Sequence, residues 1–121
     1  MSFVSPGTIT KLSFDSSSKK EETYLTTKVS GINPDNYISE QIWFESKDGT
    51  KIPMFVTRLK ETKLDGKNPA WVYFYGGFNI PIGPTFSPSM LTWVTEYGGV
   101  LAFVNARGGG EYGDSWHEAG R

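Results

Sequence analysis

Apolar and polar positions alternate over residues 8 to 14, TITKLSF, which is the period of a half-buried strand. The polar stretch DSSSKKEE, 15 to 22, predicts a solvated loop, and the Thr- and Val-rich TYLTTKVS, 23 to 30, a second strand. GINPDNY, 31 to 37, is a turn cluster, and Pro34 pushes Asn33 towards extended backbone. ISEQIWFES (38 to 46) and TKIPMFVTRL (50 to 59) flank an Asp48-Gly49 loop, the signature of a β-hairpin. Pro53 lacks a ladder donor and predicts an edge position or a bulge. AWVYFY, 70 to 75, is continuously apolar, as in a strand buried on both faces. Ser87-Pro88 opens a helix, with Met90, Leu91, Val94 and Tyr97 on one face and Gly98-Gly99 at its end. GVLAFVNA, 99 to 106, is a second buried strand, and DSWHEAG begins another helix. The run from Ala70 to Asn105 is therefore one strand–helix–strand unit with parallel strands. A hairpin leading into a parallel unit predicts a mixed α/β sheet, and the pattern reads as a fragment of a larger α/β domain.

Composition narrows the function classes. A formal net charge of −1 gives no basic surface for nucleic acid or an anionic membrane. With no cysteine there is no disulfide framework and no thiolate metal site, which is compatible with a cytoplasmic protein. One histidine is too few for a histidine-rich metal centre. No apolar run approaches a membrane span, and the first residues carry neither a basic nor an apolar leader region.

Two glycine loops carry the candidate chemistry. Tyr75-Gly76-Gly77-Phe78 ends a strand and precedes a helix, the position from which α/β-hydrolases supply oxyanion-hole donors. Glycine lets backbone approach a reacting carbonyl, and a tyrosine hydroxyl at the lip could donate to the oxyanion. The plainer alternative is a tight turn between two core aromatics. Gly108-x-Gly110-x-x-Gly113 also follows a strand and precedes a helix, as a dinucleotide fingerprint does, although Glu111 and Asp114 would repel a pyrophosphate. Asp114, Ser115 and His117 lie too close in sequence to face one another as a triad. No Gly-x-Ser-x-Gly elbow occurs in the chain. His117 reads as a surface or hydrogen-bonding residue, and Trp43, Phe44, Trp71, Tyr73 and Phe74 as core aromatics.

SKDGTKIPMF (46 to 55), KLDGKNPAWVYFYGGFNI (63 to 80) and GGVLAFVNARGGGEYGDSWHEAG (98 to 120) together resemble the prolyl oligopeptidase family of serine peptidases. FVSPGTI (3 to 9) resembles the family's last propeller segment. The resemblance implies a partial α/β-hydrolase fold preceded by strands from the end of a β-propeller. It places the propeller's end and return segment at residues 1–37 and the opening of the catalytic domain at 38–121. It implies Tyr75 as oxyanion donor, Phe78 as the ring that stacks on substrate proline, and Gly76 and Gly77 as the glycines that let the loop turn. The triad serine, aspartate and histidine are then not among these 121 residues, and the chain alone is expected to be inactive. The implied partner is a short proline-containing peptide, with no cofactor, metal, nucleic acid or membrane, and with monomeric full-length relatives. Outside the resemblance stand two alternatives: a non-catalytic truncated product or binding module, and a nucleotide-binding domain.

Overall fold

The computed structural model describes residues 2–15 and 18–121. Two sheets form. β1 (Thr8–Asp15) and β2 (Ser18–Thr26) make an antiparallel hairpin. β3 (Tyr37–Glu45), β4 (Lys51–Leu59), β5 (Ala70–Tyr75) and β6 (Val100–Asn105) make a four-stranded sheet in the order β3-β4-β6-β5. β3, β4 and β6 pair antiparallel, and β5 runs parallel to β6 with Tyr75 opposite Asn105. Helix α1 (Pro88–Tyr97) connects β5 to β6, and the short α2 (Asp114–Glu118) follows. The mixed sheet is thus the one the sequence pattern predicts.

The core lies where α1 meets β6. Leu91 and Val94 pack with Leu101, Phe103, Tyr37 and Phe3, all buried. Phe3 sits against Phe55 and Phe103, with ring centroids 5.6 and 4.7 Å away, so the segment before the hairpin docks on the sheet. Gly98 ends α1 at φ 59°, a left-handed C-cap. Ser87 is the N-cap residue, but its hydroxyl meets Ser89 at 3.0 Å instead of a backbone N–H.

Several sequence expectations are corrected. AWVYFY is a strand, and among the described residues it stands at the sheet edge with Trp71, Val72, Tyr73 and Phe74 exposed. Trp43 and Phe44, on the opposite edge strand, are exposed as well. The β1–β2 hairpin carries Ile9, Leu12 and Phe14 in the open, because a two-stranded ribbon has no layer of its own to pack on. β2 begins at Ser18, inside the expected loop; Ser16 and Ser17 of that loop lie outside the described residues. Its charged residues are held in register by β1, with Lys11 opposite Glu22, an opposite-charge cross-strand pair. Pro53 falls in a central strand, but one residue before the stretch that pairs with β6, Met54 to Thr57. Tyr97 turns out of the core and stacks on Trp93 at 5.3 Å.

Candidate active site

β5 and β6 are parallel neighbours, and their C-terminal ends, Tyr75 and Asn105, stand side by side. Ligands of open α/β sheets bind beyond such carboxyl ends. Tyr75 is half-buried, and its ring folds back along the loop it opens: a Cβ placed on Gly77 would lie 3.5 Å from the hydroxyl oxygen. The Tyr37 hydroxyl is bonded to Thr95 at 2.8 Å, whereas among the described residues the Tyr75 hydroxyl has no hydrogen-bond partner. It is a free donor.

Residues 77 to 80 form a tight turn, closed by the Ile80 N–H donating to the Gly77 carbonyl at 3.0 Å. Phe78 and Asn79, its central residues, have φ of 54° and 56°. Two left-handed residues in succession define a type I′ turn, which ordinarily selects glycine, asparagine or aspartate. Phenylalanine is a costly choice there, and Phe78 gains little from burial, being 85% exposed. Within these residues Phe78 is therefore not a core aromatic.

The RGGGEYG loop holds this turn from below. A methyl on Gly76 would fall on the Arg107 carbonyl, one on Gly108 on the Gly76 carbonyl, and one on Gly110 on the Asn79 carbonyl. Glycine is needed on both loops because their backbones touch. The Asn79 N–H donates to the Gly108 carbonyl at 3.1 Å. Glu111 Oε1 accepts from the Ile82 N–H at 3.0 Å and from Asn105 Nδ2 at 2.9 Å; Asn105 also donates to the Ile82 carbonyl at 2.7 Å. Asn105 is buried, and it ties the strand end to the loop. On the outer side, Arg107 reaches Asp48, Thr50 and Ser46 in the β3–β4 turn. The hydrogen bond from Arg107, with the Thr50 N–H, lowers the Asp48 carboxyl from 3.8 to about 2.

This packing removes the dinucleotide alternative. The N–H groups of Gly108, Gly109 and Gly113 donate to the carbonyls of Trp116, Ala106 and Gly110, so they do not face a phosphate. His117 Nδ1 meets the Gly108 carbonyl at 2.6 Å, and Asp114, Ser115 and His117 share one short helix. No group of three His, Asp or Glu that could hold a metal ion occurs among the described residues, nor does a helix long and apolar enough to cross a membrane.

Asn105 and Glu111 were not legible as site residues in the sequence, beyond one signal: a polar side chain closing an apolar strand. They act through contacts with Ile82, far along the chain.

Residues 84–121 match the sequence profile of the Prolyl oligopeptidase family. The chain is 50% identical over 119 residues to "Prolyl oligopeptidase A" of Galerina marginata and 52% identical over 118 residues to "Prolyl endopeptidase" of Elizabethkingia miricola. Each alignment covers 98% of this chain and 16% of the relative. The structure of Prolyl oligopeptidase B from Galerina marginata, bound to a 25mer macrocyclization substrate, superposes with a TM-score of 0.92. It is 46% identical, over 99% of this chain and 17% of that one. The chain is thus similar to a segment of prolyl oligopeptidases and prolyl endopeptidases, and it spans about one sixth of the length of the relatives it matches.

Proposed function

We propose that this chain is the part of a serine endopeptidase, cutting short peptides on the C-terminal side of proline, that supplies an oxyanion donor and one wall of the proline pocket. The carrying observation is the loop at the end of β5. There an unpartnered tyrosine hydroxyl lies over Gly77, beside an exposed phenylalanine held at positive φ. Tyr75 donates its hydroxyl to the oxyanion of the tetrahedral intermediate, and Phe78 stacks on the substrate proline. Gly76 and Gly77 permit the close loop contacts that aim both rings. Strained backbone of this kind is retained where function needs it. The nucleophile, its aspartate and its histidine come from sequence outside these 121 residues, so the chain alone does not hydrolyse peptides. Reactions of this type need no metal or organic cofactor.

Residues 1–37 are the end of a β-propeller with its return segment, and residues 38–121 open an α/β-hydrolase catalytic domain. The separate β1–β2 hairpin supports that division in outline, while β3 already begins at Tyr37 and Phe3 packs into the core of the four-stranded sheet. The absence of cysteine is in keeping with a cytoplasmic location. The test is cleavage of a chromogenic X-Pro anilide by the complete protein, before and after a serine-acylating fluorophosphonate. Cleavage after proline that the reagent abolishes is the expected result. No cleavage, or cleavage indifferent to the reagent, contradicts the proposal.

A further inference from the structure

His117 is the chain's one histidine, and the proposed reaction assigns it no part. It is half-buried on α2, with Nδ1 2.6 Å from the Gly108 carbonyl oxygen. A carbonyl only accepts, so Nδ1 carries the proton. The same oxygen accepts the Asn79 N–H at 3.1 Å. On its other side the Gly108 N–H donates to the Trp116 carbonyl at 2.9 Å. The Gly108 φ of 101° suits glycine alone, and its Cα is pressed against the Gly76 carbonyl closely enough to leave no room for a methyl. Gly108 is thus fixed by α2 and in turn fixes two points of the 75–79 loop: the Gly76 peptide beside Tyr75, and the Asn79 amide beside Phe78.

That loop needs an outside restraint. Phe78 and Asn79 both sit at positive φ, and the Phe78 ring has almost no packing to keep it there. Glu111 braces the loop further on, at Ile82, while the turn itself is held from the glycine loop by the Gly108 hydrogen bond to Asn79 and the close packing of Gly110 on the Asn79 carbonyl. We infer that His117 is a positioning residue for the reaction: through the Gly108 carbonyl it holds the type I′ turn that aims Tyr75 and Phe78 at substrate.

The kinetic arm of the test rests on the peptidase reading. In the complete peptidase, His117→Ala lowers kcat/KM for an X-Pro anilide on the order of 10-fold or more, mainly through kcat, because the loop is misplaced. His117→Asn, whose amide N–H stands close to the Nδ1–H position, restores most of it. In a Tyr75→Phe background, His117→Ala costs less than it does in the wild type, since the part of its effect that acts through the Tyr75 hydroxyl is already lost. A His117→Ala enzyme with unchanged kinetics overturns the inference. So does an Asn variant as poor as the Ala variant, or losses that simply multiply. If the wild-type protein cleaves no bond after proline, the peptidase reading fails by itself. The positioning role is then read on that same complete protein by proton exchange at the Asn79 amide. Protection lost in His117→Ala and kept in His117→Asn supports it, and equal exchange in all three overturns it.

Discussion

Phe78→Asn separates function from stability at one position. Phe78 sits at φ 54° and is 85% exposed. A non-glycine residue at positive φ costs about 1–2 kcal/mol, and asparagine is among the residues that tolerate it best. Against that gain stands the lost burial of the ring. Full burial of a phenylalanine covers on the order of 200 Å², so the small covered fraction is about 30 Å², or about 0.8 kcal/mol. The two effects nearly cancel, with roughly 0.5 kcal/mol in favour of the asparagine variant. Urea unfolding of the 121-residue chain, followed by tryptophan fluorescence, should show an unchanged or slightly raised midpoint. In the complete peptidase the same variant loses the apolar face offered to proline. That contact is worth about 1.5–3 kcal/mol, so kcat/KM falls roughly 10- to 100-fold. An unfolding free energy lowered by more than about 1 kcal/mol would show that the ring is structural. Unchanged kcat/KM would remove Phe78 from substrate binding.

Other residues give independent tests. The Asp48 carboxyl is lowered to about 2, so the stability its pairing with Arg107 contributes is present above its ordinary value of 3.8 and is lost as pH falls through about 2. Asp48→Asn should flatten that acid limb, seen as a smaller drop in the urea midpoint between pH about 4 and about 2; an identical drop would mean the pair is idle. Leu91, 1% exposed and packed with Leu101 and Phe103, should cost about 2–5 kcal/mol as Leu91→Ala in the same unfolding assay. A loss well below about 1 kcal/mol would place the core elsewhere.

The elements were legible where local pattern and tertiary packing agree. The apolar runs of β4 and β6, the spacing of Leu91 and Val94, and the Asp48-Gly49 turn all state their structure in adjacent residues. Burial was less legible than strand identity. Among the described residues Trp71, Tyr73 and Phe74 lie on the outermost strand of the sheet, and a strand's own residues do not say which neighbours cover it. The start of β2 was hidden because Ser18 to Glu22 carry no apolar alternation; only pairing with β1 makes them a strand. At the site, Tyr75, Gly76, Gly77 and Phe78 were marked by glycines and rings in one short stretch. Asn105, Glu111 and His117 were not, because each is defined by a hydrogen bond to a loop distant from it in sequence, or to a backbone carbonyl that no side-chain pattern records.

The central claim is that the free hydroxyl at the end of β5 serves an oxyanion. The most direct measurement is kcat and KM of the complete peptidase with Tyr75→Phe, which removes one oxygen and leaves the ring over Gly77. Loss of one oxyanion donor costs about 2.7–4 kcal/mol, so kcat should fall on the order of 10²- to 10³-fold with KM little changed. A kcat equal to that of the wild type would contradict the account and return Tyr75 to the role of a loop-packing residue.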